Sequence, residues 1–242
     1  MTVDKTHMAR AGWLVLQYVF SHPVGQAAVI AVLVLAGCNK PAETPTAAIG
    51  SRDASPAATT SAAPLRSTKP PADPNYPRVV MQTNLGNITV QLDGAKAPVT
   101  VQNFLNYVAE GFYDQTVFHQ VATGKVVLGG AYTVDMKEKK PHTPIRNEAH
   151  NGLKNTRGTI GMARQSESVD SATSQFFFNL GDNSWLDYRD RTLEAYGYCV
   201  FGQVVEGLDV LDRMAAVEVR STEQSEQMPV QKIVLQSARR VR

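Results

Sequence analysis

The run FHQVATGKVVLGG, Phe118 to Gly130, sets an aromatic ring, an imidazole and a carboxamide side by side on a β-prone stretch, turns at Thr123-Gly124 and returns through a second apolar run to paired glycines. Three such side chains on one short strand can form the wall of a binding site. The Gln120 amide can donate a hydrogen bond but carries no charge, so chemistry at this wall depends on a neutral donor. Other chemistries lack their residues. His119, His142 and His150 have neither close helical spacing nor cysteine partners, so no metal site is expected. The chain has no glycine-rich phosphate loop and no G-x-S-x-G elbow, which removes nucleotide use and triad hydrolysis, and no cofactor is expected. Cys199 lies in the apolar run YGYCVFG with no basic neighbour to lower its pKa, so it should be a buried, inert thiol.

The elements that must position this wall are mostly strands. RVVMQTNLGNITVQL contains two β-rich runs around Asn-Leu-Gly-Asn, and Ile88, Val90 and Leu92 alternate with polar residues, which predicts a hairpin with one buried face. Pro98 stands where a helix would start, and Val101, Phe104, Leu105 and Val108 follow at helical spacing until Gly111. Further strands are expected in TVFHQVA, KVVLGG, GTIGMA, SQFFFNL, YGYCVFGQV and VQKIVLQS, with a second short helix in GLDVLDRMAA. In SQFFFNL, Phe176 and Phe178 alternate with Phe177, so two of the three rings should face a core. A long polar loop runs from Ala131 to Arg157. Eight strands and two helices fit a mostly β fold, a closed eight-stranded antiparallel barrel capped by the helices, because closure removes exposed strand edges.

Outside this part the composition changes. Residues 39–77 are rich in Pro, Ala, Ser and Thr, a composition with nothing to bury, and are expected to form a disordered linker. Residues 1–38 carry Lys5 and Arg10, a first apolar run AGWLVLQYVF and then AAVIAVLVLAGC, too short and too small-residue-rich at its end for a transmembrane helix. The ending Leu35-Ala36-Gly37-Cys38 resembles the lipobox of bacterial lipoproteins, which implies a signal peptide, acylation of Cys38 and a membrane anchor. Asn39 after that cysteine favours the outer membrane if the cell is Gram-negative. From Arg78 onward there are 18 Lys plus Arg against 18 Asp plus Glu, so the chain from 78 to its end is net neutral; the domain is expected over 78–238, without the basic face that nucleic-acid binding needs, and the basic ending, 239–242, is a solvated tail.

The ordered segments PVTVQNFLNYVAEGFYD, KKPHTPIRNEAHNGLKNTRGTIGMAR, SATSQFFFNLGDNSWLD and YCVFGQVVEGLDVLD resemble the cyclophilin family of peptidyl-prolyl cis-trans isomerases, the bacterial periplasmic branch in particular, over about two thirds of the chain. The resemblance implies the cyclophilin-like barrel, a groove for proline-containing peptides and a role in folding exported proteins. It puts Phe118, His119 and Gln120 at catalytic positions. Substrate would be bound by Ala163, Gln175, Phe177 in the proline pocket, and Trp185, Leu186 and Tyr198 at the rim. His119 is expected to be a hydrogen-bonded structural histidine, since prolyl isomerisation transfers no proton.

Two departures set this chain apart. Where the family has an arginine, it has Gln120; where the family packs a phenylalanine, a methionine and a glutamine, it has Lys125, Val126 and Leu128. Weakened catalysis follows unless Lys125 or Arg164 supplies the missing charge, and a non-catalytic, chaperone-like peptide-binding lipoprotein is the alternative. A monomer, lipid-anchored in the cell envelope on the periplasmic side, completes the expectation.

Overall fold

The computed structural model describes residues 73–222 and 227–241; the leader, Cys38 and most of the linker lie outside the described residues. Eight strands close into a barrel in the order β1 (Arg78–Thr83), β10 (Ile233–Val241), β3 (Thr116–Ala122), β4 (Val126–Thr133), β6 (Phe176–Asn179), β5 (Thr159–Met162), β7 (Val200–Glu206) and β2 (Gly86–Leu92). Every neighbouring pair is antiparallel, so the circuit leaves no open edge. The expected strands are all present. A two-stranded ribbon, β8 (Val219–Arg220) with β9 (Met228–Pro229), was not expected, since two residues are too few to show periodicity.

Ordered contacts begin before Arg78. The Asn75 carbonyl accepts a bond from the Gly94 amide at 2.8 Å, and the Pro77 carbonyl one from Leu92 at 2.9 Å.

Helix α1 (Pro98–Ala109) starts on Pro98, whose missing N–H costs nothing in the first turn. Its orphan amides are satisfied from afar. The Glu148 carboxylate, on the long polar loop, accepts from the Val99 and Thr100 amides at 3.2 and 2.9 Å and from the Thr100 hydroxyl at 2.8 Å. The helix buries Val101, Phe104, Tyr107 and Val108; Tyr107 takes the place expected for Leu105, which is only partly buried. Helix α2 (Leu208–Ala215) buries Val210, Leu211 and Met214.

The barrel interior is aromatic. Phe104, on α1, meets Phe176 edge-on at 5.5 Å and Phe201 at 5.2 Å, and Phe176 meets Phe178 at 5.8 Å. Phe177, between the last two, belongs to a different cluster.

Candidate functional site

Strand pairing decides which side chains leave the barrel together. In β3 the pairing to β4 slips, with Phe118 opposite Gly129 and Gln120 opposite Leu128, so His119 is an extra residue in a bulge. Phe118 and Val121 can therefore both point inward, although they are three positions apart, while Gln120 and Ala122 share the outer face. On β4, Val127 is inside, and Val126 and Leu128 are outside. Leu128 in turn faces Phe177 on β6, and Phe177 faces Gly161 on β5. Gln120, Leu128, Phe177 and Gly161 thus form one row across four adjacent strands, spaced by about 4.8 Å per strand.

Around this row a small apolar cluster forms outside the barrel: Ala122, Val126, Leu128, Ala163, Phe177, Leu186 and Tyr198, with Trp185 packed against it. Of the expected groove residues, the structure gathers Ala163, Phe177, Trp185, Leu186 and Tyr198 here. Gln175 lies two residues before Phe177, partly buried, and its side-chain oxygen is buried without a hydrogen bond. The Gln120 side-chain nitrogen is likewise buried and unbonded, with the residue 2 % exposed. A donor and an acceptor without partners beside an apolar floor are suited to a peptide's polar backbone.

Two expected site residues are corrected. Phe118 is no groove wall: its ring packs in the barrel core, 5.9 Å from Phe176 and 6.2 Å from Phe178, because the bulge turns it inward. His119 is buried, but neither ring nitrogen has a hydrogen bond; its ring meets Tyr132 edge-on at 4.8 Å. Burial lowers its pKa to about 4, against a weaker opposing pull from the Val117 backbone.

That shift has a measurable consequence. Unfolded His119 binds a proton near pH 6.5, and the folded residue only near about 4. Its contribution to stability is therefore fully present above 6.5 and is lost as pH falls toward 4, by up to ~3 kcal/mol. The denaturant midpoint should fall between pH 7 and 4.5, and His119→Phe should flatten that decline; an equally steep decline in the variant would remove His119 as its source.

The wall carrying Trp185 is fastened by asparagines that the sequence reading passed over. Asn183 donates to the Lys125 carbonyl at 2.8 Å and to the Asn179 side chain at 2.7 Å, and its own carbonyl accepts from Leu186. Asn155 donates to Asp187 through its backbone and side chain, at 2.8 and 3.1 Å. The β3–β4 turn and the Trp185 segment are thereby held together. In sequence each asparagine looks like an ordinary turn former, because its partner lies far along the chain.

Gly161 was also missed. A Cβ there would lie 2.5 Å from the tip of the Phe177 ring, so only glycine lets that ring settle onto the sheet. Arg164 is committed elsewhere: its N–H groups are directed at the carbonyls of Gln165, Ser166, Leu193 and Gly197. The Cys199 thiol is buried and pushed up to about 12 by desolvation, in keeping with an inert role. Among the described residues no group of His, Cys, Asp or Glu could hold a metal, and no helix is long and apolar enough to cross a membrane. A separate cleft of about 500 Å³ opens between α1 and the end of β10, lined by Leu105, Asn106, Arg239 and Arg240 among others; it contains none of the row's residues.

Comparison with known proteins agrees with this geometry. The family model described as cyclophilin type peptidyl-prolyl cis-trans isomerase/CLD matches residues 78–240. Peptidyl-prolyl cis-trans isomerase A of Dickeya dadantii is 49% identical over 161 residues, covering 66% of this chain and 83% of its own length. Peptidyl-prolyl cis-trans isomerase B of Escherichia coli is 44% identical over 159 residues, covering 66% of this chain and 96% of its own. A crystal structure of a cyclophilin-type isomerase from Cryptosporidium parvum superposes with a TM-score of 0.57 at 21% identity, covering 69% of this chain and 98% of that one, a likeness of fold.

Proposed function

The chain belongs to the cyclophilin-type peptidyl-prolyl cis-trans isomerases, and from that premise we propose that it accelerates X-Pro isomerisation in exported proteins through a groove whose main donor is weak. Rotation about a peptide bond is opposed by amide resonance, a barrier of about 18–20 kcal/mol, and X-Pro bonds left alone exchange over tens to hundreds of seconds. At the twisted transition state conjugation is lost and the prolyl nitrogen regains a lone pair. A catalyst needs an apolar seat for the ring and a fixed donor for that lone pair, with no nucleophile or metal.

The observation that carries the reading is the row itself: Phe177 supplies an apolar seat, and Gln120 an unbonded N–H two strands away on the same face. A neutral amide gives a hydrogen bond roughly half as strong as a charged donor's. Loss of one preorganised donor costs other enzymes on the order of 10²- to 10³-fold in rate. Turnover of an X-Pro peptide by the purified full chain, measured beside the Escherichia coli relative, should exceed the thermal rate yet fall at least about tenfold below that relative. Peptide binding without any acceleration would instead favour a non-catalytic peptide-binding lipoprotein.

The proposal extends to location. The LAGC ending of an apolar segment and the Pro/Ala/Ser/Thr-rich linker support export, acylation of Cys38 and a barrel tethered in the periplasm clear of the bilayer. Several acyl chains hold a protein stably where one gives only marginal binding. Cys38→Ser should abolish acylation and leave the leader uncleaved; a variant cleaved and membrane-bound as before would refute the lipid anchor.

A further inference from the structure

We propose that Arg164 is a positioning residue that holds the outer wall of the proline groove against Phe177, an inference that rests on the isomerase reading above. The arginine is 6 % exposed, and among the described residues no carboxylate is within ion-pair distance of it. Burying a guanidinium without a counter-charge is costly unless its N–H groups are well bonded. Here they are. Nη1 donates to the Gln165 carbonyl at 2.9 Å and the Ser166 carbonyl at 3.4 Å, on its own segment. Nε donates to the Gly197 carbonyl at 3.0 Å and Nη2 to the Leu193 carbonyl at 2.9 Å, both on the loop 187–197 that runs from the Trp185 turn back to Tyr198. One planar fork therefore joins two loops.

The clamp reaches the groove in one further step. The guanidinium carbon lies 5.0 Å from the Tyr198 ring centre, and that ring stands edge-on to Phe177 at 6.0 Å. Tyr198 is also bonded through its amide to the Leu186 carbonyl at 2.9 Å, so Leu186 and Tyr198 move as one wall. Within the loop, the amides of Arg189 and Asp190 donate to the Ala195 carbonyl at 2.9 and 3.4 Å, and the Thr192 amide and hydroxyl donate to the Asp190 carboxylate at 2.8 and 2.6 Å; the bond from Arg164 to the Leu193 carbonyl ties this crest to the 164–166 segment. The exit of the loop is tight as well: a Cβ on Gly197 would lie 2.6 Å from the Tyr188 nitrogen, and the Gly197 carbonyl that accepts from Nε also accepts from the Asn147 side chain at 3.2 Å.

A wall of this kind binds the proline ring alike in the ground state and the transition state, so losing it should raise KM and leave kcat in place. Lysine keeps the charge but offers a point donor that cannot span both loops. In the full chain, Arg164→Lys and Arg164→Gln should each raise KM for an X-Pro peptide about tenfold with kcat within about twofold. Hydrogen exchange should quicken at the Arg189 and Tyr198 amides while the β1–β2 and β1–β10 ladders keep their protection. Four results would overturn the clamp: unchanged KM, a fall in kcat at constant KM, rescue by lysine alone, or loss of protection throughout the barrel. If the wild-type chain shows no turnover, the isomerase reading fails by itself. The clamp is then decided by peptide titration, where a roughly tenfold weaker dissociation constant in both variants supports it and an unchanged one refutes it.

Discussion

Gln120→Arg should raise kcat/KM on an X-Pro peptide by about 10- to 10²-fold, the size expected when a preorganised donor regains its charge. The position is right for it: Gln120 leaves the barrel on the outer face, in register with Leu128 and, beyond it, Phe177. The surroundings also suit a guanidinium. The Gln175 oxygen is buried on that side without a hydrogen bond and could accept from arginine, which would fix the fork in place. Full recovery is not expected, because Leu128 and Val126 present only aliphatic surface where a peptide needs a polar grip, and misplacement alone can cost about 10²-fold. Adding Leu128→Gln should bring a further gain. No gain from either the single or the double variant, with peptide binding intact, would sink the catalytic reading and leave a binding module.

Gly161→Val is the second large effect, and it works on the seat and not the donor. The missing side chain is what lets Phe177 lie down: besides the contact at the ring tip, a Cβ would meet two further ring carbons at 3.0 Å. Phe177 packs against Leu128, Tyr198 and the sheet, so its ring can leave Gly161 only by moving outward from the strand. The ring would have to swing up toward Tyr198 or force β5 and β6 apart, and overpacking of this kind costs typically about 1–3 kcal/mol. Thermal unfolding should shift down accordingly, and peptide affinity should fall at least about tenfold, since the proline seat would be occupied by the displaced ring. Unchanged affinity together with unchanged stability would mean that Phe177 does not rest on Gly161 in solution.

The two variants act on what the sequence made legible to different degrees. Strand alternation at Ile88, Val90 and Leu92, and the helical spacing of Val101, Phe104 and Val108, were enough to predict the barrel and its helices, because periodicity records which face is buried. The same rule separated Phe177 from Phe176 and Phe178. The replacement of a charged donor by Gln120 could also be read directly, since residue identity alone decides whether a side chain carries charge.

The rest required the folded chain. Phe118 was placed in the groove because a bulge cannot be seen in one strand; it exists only as a slip of β3 against β4, and that slip reversed the facing of Phe118 relative to Gln120. Bonds from Arg164 to Leu193, from Asn183 to Lys125 and from Thr100 to Glu148 join residues 29, 58 and 48 positions apart, and no local pattern marks such pairs. Gly161 looked like an ordinary strand glycine until a ring from the neighbouring strand lay over it. Local periodicity therefore determined the elements and their buried faces, whereas register and long-range hydrogen bonds, which depend on two chain segments at once, decided which side chains became a site.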